Sequence, residues 1–164
     1  HAGLAQALRR AYETWWTDIS RDFDRPAEIV LGDDRQNPTE LTCFEWHGSQ
    51  QWQQQAVLRG FEGNGPWAVR VARDGRYQIT LRRWPASVDA PITAAVPGGK
   101  PIAADEARLK IGSFDERNPI PPDARAIEFT VPLTAGSYRL ETWFTSRDGG
   151  SCGAYYASVR QVLK

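Results

Sequence analysis

The run Trp67-Ala-Val-Arg-Val-Ala-Arg73, then Asp74-Gly75, then Arg76-Tyr-Gln-Ile-Thr-Leu-Arg-Arg-Trp84 decides the fold class. Trp67, Val69 and Val71 recur with a period of two, as do Tyr77, Ile79 and Leu81. That period places each set on one face of a strand. Asp-Gly between two such runs is a hairpin signal, because glycine accepts the positive φ that a tight turn requires. The expectation is an antiparallel hairpin with both apolar sets facing a core and Arg70 and Gln78 facing out.

The same alternation spreads outward from this stretch. Ala126–Leu133 alternates through Ile127, Phe129, Val131 and Leu133. Thr134-Ala-Gly-Ser137 turns it into Tyr138–Thr145, and Asp148-Gly-Gly150 turns that into Ala154–Leu163. Glu28–Leu31 and Glu40–His47 read as strands, and Lys100–Ile111 as two short ones broken near Asp105. The Pro/Gly/Ala-rich Pro85–Gly99 reads as a long loop, and Asp115–Asp123, with three prolines, as a stiff connection. Only the opening differs. Leu4, Leu8, Ala11, Tyr12, Trp15, Trp16 and Ile19 recur at three- and four-residue steps, the pattern of an amphipathic helix that Pro26 closes. The chain therefore divides into an N-terminal helix (residues 1–25) and one mainly β domain (26–164). The domain is expected to be an antiparallel two-sheet sandwich with a jelly-roll-like strand order, an immunoglobulin-like order being the alternative.

Composition narrows the function. The chain has 164 residues, 20 basic against 20 acidic, and a formal net charge of zero. A balanced surface argues against a phosphate-tracking nucleic-acid partner. No apolar run approaches the roughly 18 residues of a membrane-spanning helix. The chain starts at His1 and contains no Met, so it is expected to be a piece of a longer polypeptide. Cys43 and Cys152 lie in no metal-binding spacing; a disulfide between them is open from sequence, and buried free thiols are the favoured reading. His47 stands alone in Glu45-Trp-His-Gly-Ser49, with no Gly-x-Ser-x-Gly elbow, so no Ser-His-Asp set can be assembled from motifs. No metal site is expected either. The acidic turns at Asp33-Asp34 and Asp148 have no calcium-loop spacing.

The one surplus is aromatic, with seven Trp. Trp84 and Trp143 are out of phase with their strands' apolar residues. A Trp outside the core can stack on a sugar ring, whose axial C–H groups meet the π face, while Arg and His grip an anion. On this ground Trp46, His47, Trp52, Arg83 and Trp84, at strand ends and in a loop, form a candidate ligand site. The competing role for Trp46 and Trp84 is to plug loops.

A resemblance runs through these segments. Tyr12-Glu-Thr-Trp-Trp16, Ile29-Val-Leu-Gly32, Asn37-Pro-Thr-Glu-Leu-Thr42 and Glu45-Trp-His-Gly48 come first. Gly65-Pro-Trp-Ala-Val-Arg-Val-Ala-Arg-Asp-Gly-Arg-Tyr77 and Leu81-Arg-Arg-Trp-Pro85 follow, then Ala107-Arg-Leu-Lys-Ile-Gly112 and Leu140-Glu-Thr-Trp-Phe-Thr145 through Gly153-Ala-Tyr-Tyr156. In this order, over nearly the whole chain, they resemble the C-terminal region of bacterial arylsulfatase-type sulfatases. Where family members often carry His-Asp-Trp, this chain has Phe44-Glu45-Trp46.

The resemblance implies a division of labour. Sulfatases cleave sulfate esters with a formylglycine formed in Cys-x-(Pro/Ala)-Ser-Arg, beside a Ca²⁺. Here Cys43 is followed by Phe-Glu-Trp and Cys152 by Gly-Ala-Tyr, so neither is that motif. The implied formylglycine, Ca²⁺ and catalytic domain lie upstream, and this chain itself is expected to be non-catalytic and to hold no cofactor. Tyr12, Trp15 and Trp16 are then candidates for the interface with that catalytic domain. The alternative is a carbohydrate-binding sandwich recognising a sulfated glycan. The family further implies a periplasmic or secreted location.

Overall fold

The computed structural model describes residues 2–23, 25–48 and 53–162. Helix α1 (Ala2–Ile19) opens the chain and runs into a single 3₁₀ turn, Ser20–Asp22. The strands are β1 (Ile29–Leu31), β2 (Thr39–Thr42), β3 (Trp67–Val71), β4 (Gly75–Arg82), β5 (Glu106–Ile111), β6 (Phe114–Pro119), β7 (Ile127–Leu133), β8 (Gly136–Thr145), β9 (Ser151–Cys152) and β10 (Tyr156–Val162). A second helix, α2 (Gln54–Arg59), lies between β2 and β3.

Two sheets face each other. One has the order β2-β10-β4-β7, all antiparallel. The other has the order β1-β3-β8-β5-β6, with β9 beside β8 and β1 added in parallel at the edge of β3. Without β1 and β9, eight strands remain in two sheets of four, ordered β2-β10-β4-β7 and β3-β8-β5-β6. This is the jelly-roll order, and it excludes the immunoglobulin-like alternative.

The core is what alternation requires. Trp67, Val69, Val71, Leu140, Phe144, Leu109 and Ile111 point inward from one sheet, and Tyr77, Ile79, Leu81, Phe129, Val131, Ala157 and Val159 from the other; all are buried. Arg70 faces solvent and Gln78 is half-exposed on the outer face, so the expected inward and outward faces hold.

The hairpin does not hold. β3 pairs with β1 and β8, whereas β4 pairs with β10 and β7. Arg73-Asp74-Gly75 is a corner between sheets, and the two apolar sets meet across the sandwich. Asp74 anchors this corner by accepting a hydrogen bond from the Ala135 backbone N–H at 2.7 Å. The β7–β8 connection crosses between sheets in the same way, so Thr134–Ser137 is not a hairpin turn either. Alternation reports which face of a strand is buried and carries no information on its neighbour.

Three further differences have local causes. The strand expected over Glu40–His47 stops at Thr42, where Cys43–Glu45 forms a 3₁₀ turn and Glu45 accepts the Thr42 N–H at 2.7 Å. Lys100–Ile111 holds one strand, β5, rather than two. The stiff connection contains strand β6, an edge strand whose charges mask it. Its Asp115 pairs bidentately with Arg108 at 2.5 and 2.6 Å, and its Arg117 meets Glu106 at 3.0 Å. Charge on an edge also discourages further strand addition.

Candidate functional site

The residues expected to line a ligand site separate on folding. Trp46 is fully buried. The 3₁₀ turn after β2 swings it under the end of the sandwich, with its ring 5.7 Å from Trp67 and 6.0 Å from Tyr155. Gly65 and Gly153 press on it from either side. A Cβ on Gly65 would lie 2.8 Å from Trp46 Cβ, and one on Gly153 would lie 2.5 Å from Trp46 Cζ2.

Arg83 and Trp84 are buried too, at 0% and 4% exposure. The chain leaves the sheet after Arg82, so two consecutive side chains turn inward. The Arg83 guanidinium donates to backbone carbonyls only: Lys100 at 2.6 Å, Ala94 at 3.1 Å, Val57 and Leu58 at 3.4 Å, and Ile92 at 3.5 Å. Val57 and Leu58 belong to the last turn of α2, where a cation complements the helix dipole. Gly60 closes that helix in the left-handed conformation (φ +70°), and a Cβ there would come within 2.5 Å of Ile102 Cγ2. Burial lowers the Arg83 pKa from the ordinary arginine value, the cost of removing a cation from water. Its guanidinium lies 4.2 Å over the Trp84 ring, and Trp84 Nε1 donates to the Pro91 carbonyl at 3.1 Å. Together they fasten α2 and the Pro85–Gly99 loop to the sandwich.

A buried ring offers no face to a sugar and a buried guanidinium no donor to an anion. The expectation that Trp46, Arg83 and Trp84 form a surface binding site is therefore corrected: they plug loops. His47 does reach the surface, its backbone N–H donating to the Pro66 carbonyl at 2.9 Å. Trp52 lies outside the described residues. Cys43 and Cys152 are free and buried. Burial pushes the Cys43 thiol up to about 11 and raises that of Cys152, so neither is poised as a nucleophile.

The helix is the opposite case. Among its described residues α1 buries none. Leu4, Leu8, Tyr12, Trp15 and Trp16 stand 45–62% exposed, and Phe23, just past the helix, 63%. They form one stripe. The Tyr12 ring stacks on Trp16 at 6.2 Å and lies 5.7 Å from Trp15, and Phe23 meets Trp16 edge-on at 5.5 Å. The stripe then runs into a recess of about 320 Å³ lined by Phe23, Pro26, His47, Pro66, Ala68 and Arg139. Tyr12, Trp15 and Trp16 are thus exposed members of this stripe. Phe23 was missed by the sequence reading, although it continues the four-residue step from Ile19 and the periodicity could have found it.

A helix this exposed has little to hold it. It has no acidic residue in its first turn and no basic residue in its last, so its dipole is uncompensated. Arg9 and Glu13 pair at 3.0 Å, worth only a few tenths of a kcal/mol in solvent. Helical stability in proteins comes mostly from packing an apolar face, and α1 buries none of its described residues.

Comparison with known proteins leaves the assignment to this geometry. No family model matches the chain, and no curated protein does. Among solved structures that match is that of a ruminal GH26 endo-beta-1,4-mannanase, with 13% identity and a TM-score of 0.47 over 77% of this chain. The chain spans about a quarter of that protein's length, 26%. Likeness at this level carries no argument about function.

Proposed function

We propose that this β-sandwich is a non-catalytic module of an arylsulfatase-type sulfatase, and that its N-terminal helix packs on the catalytic domain upstream in the same polypeptide. The observation that carries the docking role is the stripe of Leu4, Leu8, Tyr12, Trp15, Trp16 and Phe23, solvated along an otherwise unsupported helix. Each Leu and Phe of the stripe gains about 1.5–3 kcal/mol on full burial, a gain that the sandwich does not supply to this helix. The sulfatase context comes from the ordered motifs between Tyr12 and Tyr156, and with it a periplasmic or secreted home.

The chemistry assigned to the module is support. Its thiols are buried and their pKa values raised, so no formylglycine-like electrophile or thiolate nucleophile is supplied from Cys43 or Cys152. The formylglycine and Ca²⁺ of the proposed parent belong to the upstream domain.

The test joins this chain to the polypeptide encoded upstream in its own reading frame, with a protease site between them. After cleavage the two parts should remain associated, and Tyr12→Ser/Trp15→Ser/Trp16→Ser should separate them without changing the melting temperature of this chain alone. Association unaffected by the triple substitution, or an upstream frame lacking Cys-x-(Pro/Ala)-Ser-Arg, would overturn the proposal.

A further inference from the structure

The outer face of the four-stranded sheet carries a feature that neither the helix nor the buried loop plugs explain. Strand pairing lays Glu40, Ser158, Thr80 and Glu128 in one row across β2, β10, β4 and β7. Arg82 stands one outward position to one side of this row and Arg160 one position to the other. This face carries an open recess of about 310 Å³ in which Pro38 and Ala86 are the apolar residues.

The hydrogen bonding inside the recess is uneven. Both carboxylates are held by neutral donors: Ser158 Oγ donates to Glu40 at 2.6 Å and Gln78 Nε2 donates to Glu128 at 2.9 Å. Arg82 and Arg160, each side chain half-exposed or exposed, have no ion pair or side-chain hydrogen bond among the described residues. Other surface arginines divide: Arg73, Arg108, Arg117 and Arg125 find carboxylates, whereas Arg10, Arg59, Arg76 and Arg139 share the state of Arg82 and Arg160 among the described residues. What sets Arg82 and Arg160 apart is that both line one recess. The groove thus carries two carboxylates, each held by a neutral donor, and two guanidiniums, each a planar fork of donors with no side-chain partner among the described residues.

We infer that this groove binds a saccharide bearing anionic substituents. A guanidinium fork grips a carboxylate or a sulfate ester bidentately. Hydroxyl groups, at once donors and acceptors, match the intervening row of carboxylate, hydroxyl and amide. The size is at the lower end of ligand pockets. A protein or lipid partner would bury these polar groups with little apolar gain, since only Pro38 and Ala86 would contribute. Carboxylated and sulfated sugars share this chemistry, and the test separates them. The inference stands apart from the docking of the helix, which lies on other residues.

Titration of the intact chain by NMR or calorimetry would use an oligogalacturonate, a chondroitin sulfate tetrasaccharide and neutral mannotetraose. The expected result is binding of at least one of the two anionic probes, with amide shifts confined to β2, β10, β4 and β7. The double variant Arg82→Gln/Arg160→Gln should weaken it at least tenfold. Arg70→Gln, on the outer face of the other sheet, and Tyr12→Ser/Trp15→Ser/Trp16→Ser should leave it unchanged. Which anionic probe binds identifies the substituent. Mannotetraose binding as tightly as both anionic probes, no binding of either at millimolar concentration, or a double variant that binds like wild type would overturn it.

Discussion

Trp15 and Trp16 on the helix and Trp46 and Trp84 at the end of the sandwich share one chemistry and meet opposite environments. The first two remain about half exposed, while the latter are 0% and 4% exposed. The buried pair is enclosed by close packing, although only Trp84 has an acceptor for its indole N–H and Trp46 Nε1 has none among the described residues. Trp46 has two aromatic neighbours and two glycines that make room for it, and Trp84 has a cation on its face and a carbonyl for its N–H. The helical pair has only other members of its own stripe. A surplus of tryptophan is therefore not one signal. It divides into side chains that complete this fold and side chains for which this fold offers no partner.

The contrast predicts a steep gradient of mutational cost. Trp46→Ala should lose about 3–5 kcal/mol, the range for truncating a buried aromatic residue and leaving a cavity. Chemical denaturation would measure it, and a loss below about 1 kcal/mol would mean that Trp46 is not packed as described. Arg83→Met comes next. It keeps much of the volume but strands carbonyls of α2 and of the Ala94–Lys100 segment, each costing about 1–3 kcal/mol when buried without a donor. A loss of roughly 3 kcal/mol is expected, with early exchange of the amides around Val57 and Lys100; a neutral outcome would remove Arg83 from its fastening role.

Much of this architecture was legible in the chain. The period of two in Ile127–Leu133 and in both arms around Asp74-Gly75 identified the inward residues, because burial of one face is a local property of a pleated strand. Pairing was not legible. Whether Val71 continues beside Tyr77 or across from it depends on which sheet has room, and the Asp-Gly corner suits either route. The strand ends failed for a related reason. A 3₁₀ turn resets the phase before Trp46, and departure from the sheet resets it before Trp84, so alternation counted through those points misassigns their exposure, whereas Arg83 continues the phase of Tyr77, Ile79 and Leu81. β6 was hidden by its charges, which an edge strand tolerates. The helix stripe was the most legible feature of the candidate site, since a three- and four-residue repeat needs no tertiary context. The groove around Arg82 and Arg160 was the least, because its residues come from four separate strands and share no motif.

The difference between the two regions should vanish when the proposed partner is present. Amide hydrogen exchange over residues 2–23 would be followed in this chain alone and in the same chain joined to the polypeptide encoded upstream. Alone, these amides should exchange far faster than those of the sandwich, as expected of a helix that packs no apolar face, while β4, β8 and β10 remain protected. Joined, they should slow by at least a hundredfold, to the level of the sandwich strands. Rapid exchange over residues 2–23 in both would contradict docking of the helix, and full protection in the chain alone would show that Trp15 and Trp16 already have a partner in this fold.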